Sequence, residues 1–404
     1  MSIRFADITA PVDPSEFLSR FWTKHAVHLR QPDRTFDGVF GWDGLNAILN
    51  AHDLTFPKVK VSRNDSPVPA EKFTTELAGQ RFVDRRAVLD LFQDGASVGI
   101  TGADSHWAPL RAVVDCVYDA LLESVHANVY CSPANTQGFH CHFDLHEVFV
   151  LQVEGTKHWR VFRPTTESPI ESWRAADSPH ESTEPYLDVV LQKGDVLYVP
   201  RGHWHYAVAE DSISVHVTVG VTCRKGTALL DWLAGELTAE AVWRRNAPLM
   251  DGATSHGSFV LPQDFSSWVE ELTRSMARKM ADPDLLERFC KATLRGILPS
   301  RSVDMSIQSN GSGLPIEELV FERPMGRRHV IVDNGDSAVT VSAADCEIQL
   351  EDVDAELLRK IFAADSFTAS DIRNWQPDVP LDEVGELLAE LIRQGLLIAH
   401  QRRL

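Results

Sequence analysis

The chain has 404 residues, of which 44% are hydrophobic and 24% are charged. That length predicts two or three domains, and the composition excludes collagen-like, low-complexity and wholly disordered proteins. With 39 basic residues against 58 acidic ones, the net charge of −19 disfavours direct binding of nucleic acid and favours a basic protein or peptide as partner.

The sequence lacks the patterns of membrane spans, secretory signals and disulfide frameworks, and these absences predict the cellular location and the redox state of the cysteines. No apolar run reaches the roughly 18–20 residues of a membrane span, and the first residues lack the pattern of a secretory signal. We therefore expect no membrane association and a cytoplasmic location. The six cysteines form no CxxC pair, which is typical of scattered reduced thiols rather than of a disulfide framework.

The first part of the chain, to about residue 50, has a helical pattern. A helix start at Asp13 is followed by apolar residues three to four positions apart, among them Phe17, Phe21 and Trp22. That spacing predicts an amphipathic helix. We expect this segment to cap a larger unit.

Between about residues 125 and 222 the pattern changes to short β-branched and aromatic runs separated by Pro and Gly. Many strands with no helices between them indicate an antiparallel sandwich or barrel. The predicted strands are residues 127–130, 148–153, 159–162, 189–191, 196–199 and 213–219.

Residues 226–300 return to a helical periodicity, with apolar stripes that begin at Leu229 and Phe265. A Gly/Ser-rich break at residues 309–313 predicts a connection into a last segment. This segment is expected to form helix, helix, helix and strand, an order typical of a small winged-helix unit. These four elements are predicted at residues 357–362, 366–372, 384–392 and 395–398.

The third of these C-terminal helices is acidic. It carries Asp382, Glu383, Glu386 and Glu390 against Arg393 alone. Because an acidic helix is a poor partner for phosphates, we expect this unit to contact protein or to be structural rather than to bind DNA.

The residues with metal-binding or catalytic chemistry are densest in segment 137–147. If this segment is a strand, alternate side chains share one face, so His142 and Asp144 project together. Two imidazoles and a carboxylate can hold Fe(II) on one face and leave positions open for a bidentate cosubstrate and oxygen. The pair therefore predicts two members of such a facial triad.

A third ligand must come from elsewhere, and segment 194–205 is the candidate. A Gly-Asp turn, a buried strand and a Pro-x-Gly corner would bring one histidine back beside the first motif, and His203 and His205 are both available. Burial of so many ionisable groups without a metal would be costly, so the sequence favours a metal site over satisfied core histidines. Three further residues crowd the motif, and one of them could line a substrate pocket: His140, Cys141 and His146.

At these residues the chain resembles the Jumonji C-type 2-oxoglutarate oxygenases and, among them, the ribosomal oxygenases of the cupin-4 group. The resemblance spans nearly the whole chain, from the helical lead-in to the C-terminal unit. The segments that carry it are residues 128–130, 137–138, 142–144, 148–152, 155–160, 194–202 and 216–218.

The resemblance implies an α+β fold built on a double-stranded β-helix (cupin or jelly-roll) barrel. It also implies a helical lead-in, a helical dimerisation region and a C-terminal winged-helix domain, so a homodimer is expected. The limits are residues 1–225 for the Jumonji C catalytic domain, with its barrel core at about 125–222, then 226–305 for the dimerisation region and 306–404 for the winged-helix-like domain.

By position, the resemblance implies that His142, Asp144 and His205 are the catalytic residues and bind Fe(II). The second cofactor that it implies is 2-oxoglutarate, a cosubstrate consumed together with O2.

The same resemblance assigns residues to the cosubstrate. Lys157 would pair with the distal carboxylate of 2-oxoglutarate, Asn128 and Thr218 would form hydrogen bonds with the cosubstrate, and Tyr130 would face the same cavity. The assignment to Lys157 is reasonable on physical grounds, because a dicarboxylate that chelates a cation at one end needs a cation or strong donors at its other end.

The implied reaction is oxidative decarboxylation of 2-oxoglutarate to succinate, coupled to hydroxylation of an unactivated C–H bond. The family acts on histidine or arginine side chains, so the implied substrate is a basic protein such as a ribosomal protein. The acidic loop at residues 167–184 suits such a partner. Histone demethylation uses the same chemistry, although the sequence shows no sign of a methyl-lysine pocket.

Two other interpretations are compatible with the motifs. In the first, His140, His142, Glu147 and His205 form a germin-like four-ligand site for manganese, nickel or iron, and Asp144 and Lys157 have no role. In the second, the protein is not an enzyme but a cupin sensor whose winged helix regulates transcription.

Overall fold

A computed structural model describes residues 3–50, 54–63, 66–170, 183–248, 264–295, 316–324, 329–335, 338–343 and 346–401. The chain divides into two compact units, Met1–Cys223 and Arg224–Leu404. Two predicted features lie outside the described residues: most of the acidic loop at 167–184 and the whole Gly/Ser-rich break at 309–313. The three domain limits given above stay predictions.

The lead-in of the first unit is less helical than its sequence predicts. Asp13 caps the second helix by accepting a hydrogen bond from the backbone N–H of Ser15 at 2.8 Å. A short strand then pairs with the barrel, a contact that a helical periodicity does not reveal. The elements of the lead-in are α1 (Phe5–Thr9), α2 (Pro14–Arg20), β1 (Val27–Leu29) and α3 (Trp42–Leu49).

Between the lead-in and the barrel lies a region whose elements were not predicted from the sequence. Its strands are too short to show a period of two. It contains β2 (Val59–Arg63), β3 (Ser66–Pro67), β4 (Thr74–Leu77), β5 (Gln80–Val83), α4 (Arg85–Gln93), β6 (Ser97–Ile100) and α5 (Ala108–Leu121).

The strands predicted between residues 125 and 222 are confirmed, and one more lies after the Pro-x-Gly corner. A large antiparallel sheet has the order β1-β11-β8-β13-β7-β6-β2-β3, and a small one has the order β10-β9-β12. The strands are β7 (Ser124–Ser132), β8 (Glu147–Glu154), β9 (Lys157–Phe162), β10 (Leu187–Leu191), β11 (Val196–Val199), β12 (Trp204–Ala209) and β13 (Ser214–Thr222).

Apolar side chains of both sheets pack in one core. Val150 of β8 and Leu197 of β11 come from the large sheet, and Trp159 and Val161 of β9 come from the small one. Two antiparallel sheets around a shared interior form a barrel of the cupin type. The predicted α+β class with a cupin barrel is therefore confirmed.

The second unit has the predicted order of helices followed by a mixed C-terminal part. Its helical region consists of α6 (Gly226–Leu237), α7 (Ala241–Arg244), α8 (Phe265–Met280) and α9 (Leu285–Arg295). The C-terminal part contains β14 (Leu319–Glu322), β15 (His329–Asp333), β16 (Ala338–Ala343), β17 (Cys346–Glu351), α10 (Ala355–Ala363), β18 (Ser366–Thr368), α11 (Ala369–Trp375), α12 (Leu381–Arg393) and β19 (Ile398–Gln401).

The three C-terminal helices occur close to where they were predicted, with two corrections. The final strand was expected at residues 395–398, but β19 spans Ile398–Gln401. The second helix was expected from Ser366, but residues 366–368 form β18 in a sheet of order β18-β14-β19. Thr368 ends this strand because its hydroxyl oxygen and the Asp371 carboxylate form a reciprocal capping box that starts α11. The β15-β16-β17 meander was not predicted.

Two further expectations concern the whole chain. None of the six cysteines, all of which lie in described segments, is in a disulfide bond, as predicted. Within the described segments, we find no helix with the combined length and apolar content that crossing a membrane requires.

Arg34 fastens the lead-in to the barrel. Its guanidinium donates hydrogen bonds to the carbonyl oxygens of Gly194 at 2.6 Å and Ala10 at 2.9 Å, and it also contacts those of Ile8 and Leu29. Partial burial lowers the pKa of Arg34 to about 10, and nearby Asp195 opposes this shift. One cation thus connects the N-terminal helices, β1 and the turn before β11.

We expect Arg34→Ala to lower the free energy of unfolding by about 2–4 kcal/mol, because several carbonyl groups lose a charged donor at once. Denaturant titration followed by circular dichroism measures the change. Arg30→Ala is the matched control, since Arg30 is exposed and, among the described residues, donates to the side chain of Gln192 alone, at 3.4 Å. Equal stabilities for the two variants would contradict this role.

Candidate metal centre

His142 and Asp144 do not lie on a strand, which corrects the prediction. They belong to an irregular segment between β7 and β8 that touches β12 through isolated bridges at Gln137–Val208 and His142–His205. Between the two bridges the irregular segment advances by five residues while β12 advances by three. The segment therefore bulges and cannot continue as a regular strand.

The His142–His205 bridge brings the two imidazoles together. The His142 N–H donates to the His205 carbonyl oxygen at 3.1 Å, and the His205 N–H donates to the His142 carbonyl oxygen at 2.7 Å. Residues directly opposite in an antiparallel pair project to the same side, and the two ring centroids are 4.6 Å apart.

Asp144 completes a cluster of three potential ligands. One donor atom from each of His142, Asp144 and His205 lies within 4.8 Å of the other two, and Asp144 Oδ2 is 3.6 Å from His205 Nε2. Ligands on one ion are about 4 Å apart or less when each bond is about 2.1 Å long. Small side-chain rotations therefore suffice to close the cluster on one ion.

Both imidazoles are oriented for ligation. Nδ1 of His142 lies 2.8 Å from the carbonyl oxygen of His140, and Nδ1 of His205 lies 3.0 Å from that of His203. Because a carbonyl can only accept, each Nδ1 carries the proton and each Nε2 lone pair is free for a metal.

The electrostatics of His205 favour the same state. Burial, and then neighbouring His142, lower the pKa of His205 to about 4, which keeps the ring neutral. Two neutral imidazoles and a carboxylate are the donor set that suits Fe(II) in a facial triad, so the residues present fit this metal.

Apolar contacts hold the irregular segment in place. Phe143, between the two ligands, packs edge-on against Trp204 at a centroid distance of 4.9 Å, and Phe162 joins the same cluster. The N–H of Gly202 donates to the Asp144 carbonyl oxygen at 2.9 Å. Thus the Pro-x-Gly corner and β12 fix the backbone on both sides of the ligands.

The triad lines a cavity of about 350 Å³ between the two sheets. Lys157 faces this cavity from β9, is 3% exposed and donates from Nζ to Ser132 Oγ at 3.0 Å. Burial lowers the pKa of Lys157 to about 8, against a weaker opposite influence of Cys131. A buried amine with this pKa is ready to pair with an anion that enters the cavity.

Strand pairing places the three other predicted cosubstrate residues in the same cavity. Asn128 of β7 lies opposite Thr218 of β13, and Tyr130 lies opposite His216. All four side chains line the cavity. Asn128 Oδ1 accepts a hydrogen bond from the Gly102 N–H at 3.0 Å, and burial raises the pKa of Tyr130 well above its usual value.

Two of the residues that line the cavity, Trp159 and His216, were not assigned a role from the sequence. Trp159 lies two positions after Lys157, and His216 lies two positions before Thr218, so each shares a strand face with an assigned residue. This alternation was the available signal. His216 stacks on Tyr130 with centroids 5.2 Å apart, and burial lowers its pKa well below the usual value.

The three other residues next to the metal motif, His140, Cys141 and His146, lie in different environments. His146 lines the cavity, with Nε2 4.0 Å from Asp144 Oδ1, and His140 is exposed at its edge. Cys141 packs beside the Phe143 cluster, and burial raises the pKa of its thiol to about 11.

His203 and Glu147 lie apart from the three-ligand cluster. His203 Nδ1 is 2.6 Å from the Tyr186 hydroxyl. The Glu147 carboxylate accepts hydrogen bonds from the Tyr198 hydroxyl and, at 3.3 Å, from the Arg201 N–H. The structure therefore does not assemble the germin-like set, which needs Glu147 beside the histidines.

Comparison with known proteins agrees with this geometry. Residues 106–229 match the JmjC domain family. The chain therefore contains a region similar to the JmjC domain. It is 30% identical over 274 residues to human ribosomal oxygenase 1, covering 66% of this chain and 40% of that protein. It is 43% identical over 217 residues to the Drosophila persimilis bifunctional lysine-specific demethylase and histidyl-hydroxylase NO66, covering 53% of this chain and 31% of that protein.

The chain thus spans well under half the length of these curated relatives. Among solved structures, Escherichia coli ribosomal oxygenase YcfD matches 96% of this chain and 98% of its own, with a TM-score of 0.59 and 18% identity. The match to a YcfD structure in complex with cobalt and 2-oxoglutarate has a TM-score of 0.58. At this identity the likeness shows a shared fold.

The two neighbouring histidines offer a matched test of the triad. We expect His205→Gln to weaken Co(II) binding at least about 100-fold, because one of three protein ligands is lost, whereas His203→Gln retains binding within about threefold. Calorimetric titration with Co(II) measures both affinities. Equal losses in both variants, or none in either, would contradict the assignment.

Proposed function

We propose that this protein is an Fe(II)- and 2-oxoglutarate-dependent oxygenase of the JmjC type that hydroxylates a side chain of a basic, ribosomal-protein-like substrate. The observation that carries the proposal is the presence of a facial ligand cluster and a buried lysine in one cavity. The names of the relatives, ribosomal oxygenase and histidyl-hydroxylase, support the same activity.

In this mechanism His142, Asp144 and His205 would hold the metal. Bound Fe(II), with 2-oxoglutarate and O2, supplies the oxidising chemistry that converts 2-oxoglutarate to succinate and CO2 and places one oxygen atom in a C–H bond. Because the protein would supply three ligands, the metal would keep positions for the cosubstrate and O2. The backbone contacts of the two histidines direct Nδ1 to a carbonyl oxygen, which leaves Nε2 as the nitrogen that would bind the metal.

The remaining cavity residues bind and orient the cosubstrate. The Lys157 ammonium pairs with the far carboxylate, and Asn128 and Thr218 donate hydrogen bonds to the cosubstrate. The ring of Tyr130 and the indole of Trp159 form apolar walls that exclude water. No side chain of this set has to act as a general base.

The net charge of −19 supports a basic protein as substrate, because opposite charges accelerate encounter. We further propose a homodimer formed through residues 226–305, a winged-helix-like domain at 306–404 and a cytoplasmic location. The acidic residues of α12 support a protein contact by the last domain rather than DNA binding.

The function is tested by succinate release. With Fe(II), 2-oxoglutarate and a mixture of ribosomal proteins, we expect the wild type to release succinate and to add one oxygen atom to a peptide, as detected by mass spectrometry. Asp144→Ala should abolish both products, since the charge and one ligand are lost. Undiminished succinate release by Asp144→Ala would reject the triad, and His140→Ala serves as the exposed control.

Cosubstrate binding should depend on pH through Lys157. Because an anion stabilises the ammonium form, affinity for 2-oxoglutarate is full below pH 8 and falls by up to about tenfold per pH unit above it. The nearby Cys131 thiol, whose pKa burial raises to about 12, and His216 stay neutral in this range.

Calorimetric titration with 2-oxoglutarate in the presence of Mn(II), between pH 6.5 and 9.5, measures this effect. Lys157→Arg is the control, because a guanidinium stays charged throughout, and its affinity should not fall with pH. The same loss of affinity in both proteins would assign the pH dependence to another group.

A further inference from the structure

We propose that Ser132 is a positioning residue that fixes the Lys157 ammonium and thereby selects the length of the 2-oxo dicarboxylic acid that the cavity accepts. The inference rests on the proposed function, since it concerns the group that pairs with the far carboxylate. Ser132 does not itself line the cavity, so its effect is exerted through Lys157.

The first step is the environment of the ammonium. Lys157 Nζ donates to Ser132 Oγ at 3.0 Å, and Ser132 is 1% exposed. Throughout the described segments, the structure gives Lys157 no carboxylate partner within ion-pair distance. An ammonium has three N–H donors, so one is directed to Ser132 and two remain for the two oxygens of a carboxylate.

The second step is that Ser132 is itself fixed. The Ser97 hydroxyl, at the start of β6 and 2% exposed, donates to Ser132 Oγ at 3.0 Å. A hydroxyl oxygen has two lone pairs, and here Ser97 and Lys157 occupy them. The flexible four-carbon stem of the lysine therefore ends at an acceptor that is held by a neighbouring strand.

The third step connects this serine pair to the metal ligands. Gly138, in the segment that carries His142, lies close to the two hydroxyl groups. A Cβ built at Gly138 would come within 3.1 Å of Ser97 Oγ and 3.5 Å of Ser132 Oγ. Ser132 thus bonds Lys157, and Ser132 and Ser97 lie beside the segment that bears metal ligands, so the serine pair connects the two ends of the site.

The distance between these two ends determines which diacid fits. A 2-oxo acid held by a metal at one end and by Lys157 at the other must have a chain whose length matches the separation. One carbon more or fewer displaces the far carboxylate from the two free N–H groups, and misplacement on the ångström scale is costly in a preorganised site. If Ser132 is removed, the lysine can follow a carboxylate of different length.

The test uses Ser132→Ala in the whole 404-residue chain loaded with Fe(II). We expect KM for 2-oxoglutarate, and its Kd in calorimetric titration with Mn(II), to rise about tenfold, as for loss of one hydrogen bond to a charged group, while kcat at saturating 2-oxoglutarate changes less than about twofold. The preference for 2-oxoglutarate over its six-carbon homologue 2-oxoadipate, measured as the ratio of kcat/KM values, should fall several-fold. Ser132→Thr, which keeps the hydroxyl, should restore both quantities.

Ser214→Ala is the matched control. Ser214 of β13 is also buried and lies opposite Ser132 of β7. Its hydroxyl oxygen accepts a hydrogen bond from Gln152 Nε2 at 2.9 Å and not from a lysine. Its loss should leave KM and the diacid preference unchanged. If Ser132→Ala does not fold, as judged by thermal unfolding, Ser97→Ala replaces it and should shift both quantities in the same direction by a smaller factor.

Two results would overturn the inference. If Ser132→Ala and Ser97→Ala keep the wild-type KM and diacid preference while Lys157→Ala raises KM, the positioning role is wrong and the proposed function stands. If the wild type with Mn(II) shows no calorimetric binding of 2-oxoglutarate, both the inference and the proposed function are wrong.

Discussion

The candidate site depends on the backbone pairing of His142 with His205. These residues are 63 positions apart in the sequence, and two hydrogen bonds place their rings side by side. The same pairing anchors Asp144, whose backbone is held by Gly202 and whose neighbour Phe143 packs on Trp204. Without this contact nothing would hold the loop residues His142 and Asp144 next to His205 of β12. The small sheet therefore positions the two ligands that the irregular segment supplies.

A second constraint is the burial of one cation in an acidic protein. Lys157 is almost fully buried, and a serine hydroxyl is the acceptor that the structure gives it. Burying a charge without an opposite charge is unfavourable, and the lowered pKa of Lys157 reflects that cost. Under the proposed function, an anionic cosubstrate would supply the missing charge, so the cost of burying the ammonium would be recovered when the ligand binds. The metal cluster and the lysine would then be the two ends of one binding site.

Much of the barrel could be predicted from sequence because its strands are short β-branched and aromatic runs between turn residues, whereas the cosubstrate residues were assigned by the resemblance to a family. The period of two along a strand places Trp159 on the face of Lys157 and His216 on the face of Thr218, although neither was given a role. It failed at His142 and Asp144, which have strand-like spacing but lie in a bulge that depends on distant β12. Contacts between strands far apart in sequence, such as Ser97 with Ser132, leave no local pattern. The winged-helix arrangement, the dimer and the domain limits stay predictions.

A crystal structure with Mn(II) and 2-oxoglutarate, grown without oxygen, tests the central claim most directly. The account predicts one ion bound by Nε2 of His142, the carboxylate of Asp144 and Nε2 of His205. It also predicts the far carboxylate of 2-oxoglutarate within hydrogen-bond distance of Lys157 Nζ. An ion held without His205, or a cosubstrate whose far carboxylate lies away from Lys157, would contradict it.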